Sequence, residues 1–315
     1  MKLILDTDIG SDIDDALALL LLMHLRDVEI LGVTTVYGCV DIRAQIARKI
    51  IAARGLDIPV IAGLPEPLGA IEPVWVTGRE GRGILSEEEM SSPPDARCVA
   101  AEDFIIDMVE GHPDAVILAI GPLTNVAKAF RRHPGLDQKV RAIYFMGGGV
   151  LYPNRVQGDP PEGRKYKARA SHNVCCDLEA ARIVFNSEVR IAMVTNDATR
   201  DMWWHGDPVR ALLNTDLPPE SVLVGKLLQD WLEYRSGIFR KPISGTCPHD
   251  ALTAAEAVGR SFVRYGDGVM TVLPHGSTRF EAASQGRHSA GIAADAAGFV
   301  EWFSPILLGD ESDAK

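Results

Sequence analysis

Short apolar runs alternate with helical stretches along this chain, and that alternation limits its fold more than any other feature. Residues 3–5 read as a buried strand ending at Asp6, and residues 14–25 as a helix with carboxylates in its first turn and aliphatic side chains behind. Residues 28–36 are β-branched and apolar, 42–53 are helical in pattern, and 60–62 form a short strand closed by Gly63. The rhythm returns downstream, with strands at 115–120, 141–146 and 189–194 and helices at 123–132 and 178–185. A short apolar stretch at 291–293 and a helix near 296–307 close the chain. Strands joined through helices form a parallel sheet with helices on both faces. The expected fold is α/β: an open, mostly parallel, Rossmann-like sheet flanked by helices. With 315 residues and no internal repeat, a single domain over 1–308 with a flexible tail at 309–315 is the simplest partition.

Composition narrows the class of partner. The chain is 46% hydrophobic and 24% charged, as a globular protein should be, with a net charge of -11. Such an acidic chain lacks the basic footprint that nucleic acid requires and leaves a small-molecule substrate as the expected partner. Five cysteines, an odd number with no CxxC pair, argue against a disulfide framework or a zinc ribbon and for a reducing cytoplasm. The N-terminus has no signal pattern and the longest apolar run, 16–23, is too short to span a bilayer, so no membrane association is expected. Two Pro- and Gly-rich stretches, 64–97 and 147–171, interrupt the strand–helix rhythm; such long loops serve either as lids over a site or as plain surface insertions.

Directly after the first strand stand Asp6, Asp8, Asp12, Asp14 and Asp15, five carboxylates within ten residues. Open α/β sheets place their sites beyond the carboxyl ends of strands, so the position suits chemistry. Carboxylates packed this closely either take up protons or gather a cation. Ca2+ accepts many oxygen ligands in irregular geometry, and Gly10 lets the backbone turn sharply enough for carboxylates on both sides to converge.

The segment Asp6-Thr7-Asp8-Ile9-Gly10 followed by Asp14-Asp15-Ala16 resembles the signature of the nucleoside hydrolase family, with two extra residues before the paired aspartates. The extra length leaves the role of Asp12 against Asp14 open. Further stretches are similar in the same order: Ile120-Gly121-Pro122-Leu123-Thr124-Asn125, Met146-Gly147-Gly148, Asn173 ahead of Asp177-Leu178-Glu179-Ala180-Ala181, and His249-Asp250. Taken alone, each is also readable as a tight turn or a helix cap. Three positions depart from the family pattern: Cys39 stands for an Asn, Ser171 for a Glu that touches the sugar 5′-hydroxyl, and Thr77 for a His. These changes leave the metal set intact and bear on the 5′ end of the sugar.

The resemblance implies the nucleoside hydrolase fold and Ca2+-dependent hydrolysis of the N-glycosidic bond of a purine or pyrimidine ribonucleoside. It implies Asp8, Asp15 and Asp250 as side-chain ligands of the ion, with the backbone carbonyl of Ile120. Asp8 is the expected general base toward the attacking water and His249 the expected general acid, on the strength of the ordinary imidazole pKa of about 6.5. Asp14 and Asn173 are expected to hold the ribose 2′- and 3′-hydroxyls. Aromatic side chains at Trp231, Tyr234 and Phe239, and at Trp203 and Trp204, read either as a stacking surface for the base or as core packing. A homodimer or homotetramer is expected by the same likeness. Two other readings stay open: a haloacid dehalogenase-type phosphatase using Asp6 and Asp8, and a family member that binds a ribosyl ligand without cleaving it.

Overall fold

The computed structural model describes residues 1–69, 74–91, 99–150, 171–274 and 276–310. β1 (Lys2–Thr7) runs into α1 (Asp14–His24), and β2 (Glu29–Thr35) into α2 (Val40–Ala53). β3 (Val60–Ala62) reaches β4 (Val116–Ala119) through α3 (Glu87–Ser91) and α4 (Ala101–Gly111). α5 (Thr124–Arg132) leads to β5 (Ile143–Met146), and α6 (His172–Cys176) and α7 (Leu178–Phe185) precede β6 (Ile191–Val194). Then come α8 (Asn196–Thr199), β7 (Trp204–His205), α9 (Asp207–Leu212), α10 (Pro219–Phe239), β8 (Gly245–Thr246) and α11 (His249–Ala257). β9 (Val263–Val272), β10 (Thr278–Ala282), β11 (His288–Ala294) and α12 (Ala296–Leu307) complete the order.

Nine strands form one sheet in the order β10-β9-β11-β6-β5-β4-β1-β2-β3. The pairs from β3 across to β11 are parallel, while β9 runs antiparallel to both β11 and β10. The architecture is thus the expected α/β one, a single domain with a mostly parallel sheet. From β3 to β6 the order is 3-2-1-4-5-6, and the chain reverses its winding between β1 and β4. That gap between the strands' carboxyl ends is the topological switch point, where a crevice opens.

Burial explains why these residues adopt these elements. β1 is buried from Leu3 to Thr7, as a central parallel strand covered on both faces must be. All eleven residues of α1 are buried, so its sequence is apolar nearly all round instead of showing one stripe. It packs against α10, α11 and α12, and their side chains fill the core on one face of the sheet. A second core, built from α4, α5 and α7, covers the other face. Among the described residues no helix is long and apolar enough to cross a membrane.

Most element bounds agree with the sequence pattern to within about two residues, the ordinary uncertainty of helix ends. The antiparallel β9 and β10 are an addition, with the stretch at 291–293 extending to the full β11. β9 carries Gly266, Asp267 and Gly268, which hide its alternation. Residues 70–73 and 92–97 of the first interruption, 151–170 of the second, and 311–315 of the expected tail lie outside the described residues.

Two consequences follow for stability. Leu20 is fully buried in α1, so Leu20→Ala should cost about 2–5 kcal/mol in urea unfolding, whereas Leu20→Met should cost under about 1.5 kcal/mol. His288 is also fully buried, its Nδ1 accepts from the Met270 N–H at 2.7 Å, and burial pushes its pKa down to about 4. The unfolded chain protonates this ring near pH 6.5 and the folded chain does not until about 4. Stability is therefore fully present above about 6.5 and falls by roughly 3 kcal/mol as pH drops toward 4. His288→Leu should flatten that acid slope in a series of unfolding curves.

Candidate functional site

The segment after β1 and the segment after β4 meet at the switch point. Ile120 N donates to the Asp6 carbonyl at 2.8 Å, which brings the two chain turns side by side. A Cβ on Gly121 would sit 2.9 Å from the Asp8 nitrogen, so only glycine allows this approach. Residues 8–13 form neither helix nor strand, and Gly10 takes a φ of 117° that turns the chain back toward α1. Ile9 and Ile13 anchor this segment in the core.

α1 and α11 point their N-termini at the same spot. Carboxylate oxygens of Asp14 and Asp15, in the first turn of α1, and of Asp250, in the first turn of α11, lie within 4.8 Å of one another. All three are buried, and so is Asp8. Burial first, and then repulsion from Asp12, Asp15 and Asp8 on Asp14 and from Asp14, Asp15 and Asp8 on Asp250, drives both carboxyls well above the usual range. Asp15 is raised by burial and then by Asp8, against a hydrogen bond from Thr7 Oγ1 and the attraction of Arg43. Two helix N-termini give each site some compensation, but only about 0.3–1 kcal/mol per charge. A hard divalent cation is the group that lets such an all-oxygen cluster ionise together, and the donor set fits one.

The other expected residues surround this cluster. The amide of Asn173 donates to the carbonyl of Ile120 at 2.7 Å and to that of Met146 at 3.0 Å, so the Asn binds the two strand ends together. His249 Nδ1 pairs with Thr199 Oγ1 at 2.7 Å and lies 3.4 Å from Cys247 Sγ. Its enclosure pushes the imidazole pKa down to about 4, which corrects the ordinary value assumed from sequence; the ring is neutral at pH 7. Asp12 is exposed and accepts from the Ile13 N–H at 2.7 Å. It lines a cavity of about 260 Å³ with Trp203, Trp231, Arg235, Phe239 and Cys247, and its charge still reaches Asp14 and Asp15 in the neighbouring cluster. Trp204, by contrast, is core: it is fully buried and donates to Ser304 Oγ at 3.0 Å.

The three departures sit close by. Cys39 precedes α2 and is half-buried, and Ser171 is buried ahead of α6. Thr77 donates through its N–H and its hydroxyl to Glu80 Oε1 at 2.7 and 2.9 Å. Burial opposes ionisation of Glu80, but these bonds and one from Ser11 outweigh it and hold the carboxyl below its ordinary value.

Other residues of the sequence motifs take supporting parts that their type alone does not reveal. Asp6 is fully buried, and its Oδ1 accepts from Thr34 at 2.6 Å and from Asn125 at 2.7 Å. Burial, the largest effect, raises its pKa to about 7. Asn125 also reaches the Thr35 carbonyl at 3.0 Å and accepts from the Leu64 N–H at 2.9 Å, so it binds β1, β2 and the end of β3. Asp177, the N-cap of α7, accepts from Thr124 Oγ1 and from the N–H groups of Leu68 and Gly69. A buried polar side chain with several backbone partners is read from a fold and not from residue type alone.

Comparison with known proteins gives a consistent answer. The family model described as inosine-uridine preferring nucleoside hydrolase matches residues 3–299. Uridine nucleosidase 1 of Arabidopsis thaliana is 32% identical over 87% of this chain and 79% of its own. An inosine-uridine preferring nucleoside hydrolase of Leishmania major is 34% identical over 63% of this chain and 61% of its own. A solved purine-preferring ribonucleoside hydrolase from Gardnerella vaginalis superposes with a TM-score of 0.79 at 24% identity, covering 100% of this chain and 99% of that one.

The repulsion inside the carboxylate cluster has a measurable signature. Asp250→Asn removes one repelling charge, so it should melt above the unsubstituted protein in EDTA. Its melting point should also respond less to added divalent cation. A lower melting point in EDTA would mean that mutual repulsion is not what the cluster imposes on the fold.

Proposed function

The chain belongs to the inosine-uridine preferring nucleoside hydrolase family, and on that premise we propose that it cleaves purine or pyrimidine ribonucleosides to ribose and free base with Ca2+ held at the acidic turn. The observation that carries this reading is the gathering of buried Asp14, Asp15 and Asp250 oxygens within 4.8 Å of one another, each within reach of the Asp8 charge, at the switch point of the sheet. Relatives named for uridine and for inosine-uridine hydrolysis support the breadth of base. A cytoplasmic homodimer or homotetramer completes the proposal; an odd number of cysteines with no CxxC pair suits a reducing compartment.

Asp8, Asp15, Asp250 and the Ile120 carbonyl would hold the ion. When bound, Ca2+ would lower the pKa of the attacking water and orient it. The Asp8 carboxylate takes the proton from that water as it adds to the anomeric carbon. Asp14 and the Asn173 side chain hold the 2′- and 3′-hydroxyls, and the carboxylates stabilise positive charge on the oxocarbenium-like sugar. His249 faces the departing base. As the C–N bond breaks the base keeps the bonding pair; the neutral ring contributes an N–H hydrogen bond that strengthens as negative charge builds on the leaving nitrogen, and the departed base takes its proton from solvent water. Trp231, Trp203 and Phe239 stack on the base within the cavity beside Asp12.

Asp8→Ala should bind Ca2+ more weakly and lose turnover on inosine and uridine by about 10²–10⁴-fold or more; wild-type rates on both would end the assignment. His249→Ala should slow natural nucleosides far more than nitrophenyl riboside, whose leaving group needs no proton, and equal losses on the two would count against its role. Nitrophenyl phosphate should not be hydrolysed, which separates the phosphatase reading in one assay. Ligand binding without turnover on any riboside would favour the non-catalytic one.

A further inference from the structure

Arg43 is the one fully buried guanidinium among the described residues, and it lies directly beneath the acidic turn. From the first turn of α2 its Nη1 donates to the carbonyls of Asp8 and, at 2.9 Å, of Ile9. Nε donates to the Tyr37 carbonyl at 2.8 Å, and Nη2 to Ser11 Oγ at 3.0 Å. None of these acceptors is a carboxylate. Burying a guanidinium without a directly bonded anion costs several kcal/mol unless its surroundings compensate. Here the compensation comes from carbonyl dipoles and from the aspartates above, among them Asp15, which its charge attracts.

The acceptors show what the guanidinium does. The segment 8–13 has no ladder or helix to satisfy its backbone, yet Ile9 and Ile13 pull it into the core. Its buried carbonyls need donors from elsewhere. Tyr37 adopts a φ of 67°, a conformation that L residues avoid, and its carbonyl is held by the same fork. Ser11 passes the connection on, donating to Glu80 Oε1 at 2.8 Å, which also accepts from Thr77. One side chain therefore spans the loops after β1 and β2 and, through Ser11 and Glu80, the turn at Thr77. A lysine supplies the charge but cannot cover divergent acceptors with a rigid fork.

We propose that Arg43 is a positioning residue for the hydrolase reaction, fixing the Asp8–Ile9 backbone so that Asp8 and the cation-binding carboxylates are in place before the ion arrives. This rests on the catalytic reading of the acidic turn given above. Arg43 touches no substrate in this account and acts only through the residues it holds. A purely structural role would lower the melting point and leave the parameters of the folded fraction alone. A positioning role weakens the ion and slows the chemical step with little effect on substrate capture.

The test compares the full-length protein with Arg43→Lys and Arg43→Met by calorimetric titration of Ca2+ alone into the metal-free chain, and by kcat and KM for inosine and uridine at saturating Ca2+. Arg43→Lys is expected to weaken Ca2+ binding by about 10–100-fold and to lower kcat by a similar factor, with KM within about threefold of the parent. Arg43→Met should lose more of both, so that lysine gives partial rescue. A folded lysine variant with parental Ca2+ affinity and kcat overturns the proposal. So does a lysine variant that cannot fold even in excess Ca2+, since Arg43 would then be a folding element. A parent chain that neither binds Ca2+ nor cleaves any riboside overturns the hydrolytic reading first and this inference with it.

Discussion

Repulsion among Asp8, Asp14, Asp15 and Asp250 organises this molecule. All four are buried; burial, and then the charge of neighbouring aspartates including Asp8, weakens the ionisation of Asp14, Asp15 and Asp250. A fold that gathers them must bring opposing positive potential to the same place. It does so with the N-termini of α1 and α11, with the hydroxyl of Thr7, and with the guanidinium of Arg43 beneath the turn. These contributions are individually modest, and a divalent cation is the natural completion of the set.

The long reach of the site in sequence follows from the packing of two helices. Asp8 and Asp250 stand near opposite ends of the chain, but α11 lies directly on α1, so their first turns coincide. The sheet supplies the rest of the frame. β1 and β4 diverge at the switch point, Gly121 lets the two turns close to contact, and Asn173 binds the ends of β4 and β5 through the carbonyls of Ile120 and Met146. The same Ile120 carbonyl is the backbone oxygen proposed for the ion, so Asn173 would fix that oxygen's direction, with its own Oδ1 left to accept from the sugar in the proposed reading.

Much of this was legible in the residues. Apolar runs alternating with helical periods give the parallel sheet, and Asp after a buried strand gives the place of the site. Parallel central strands must be apolar on both faces, which is why β1, β2 and β4 stand out. The antiparallel β9 and β10 did not, because an edge pair with one solvated face and glycines at 266 and 268 dilutes the pattern. The sequence left Asp12 and Asp14 equivalent; in the fold Asp12 lines the open cavity while Asp14, at the start of α1, shares the cluster with Asp15 and Asp250. His249 was recognisable as a residue, but the burial that lowers its pKa to about 4 is encoded by no local motif. Arg43 was invisible for the same reason. An arginine in an amphipathic helix reads as solvated surface until the turn that folds over it is known.

A crystal structure of the protein grown with Ca2+ and a non-hydrolysable ribose analogue, with anomalous scattering to identify the ion, tests the central claim most directly. The account predicts one ion per chain, bound by oxygens of Asp8, Asp15 and Asp250 and the carbonyl of Ile120, with Asp14 on the sugar hydroxyls. An empty carboxylate cluster at saturating Ca2+, or an ion seated elsewhere with the analogue away from Asp14, would contradict it.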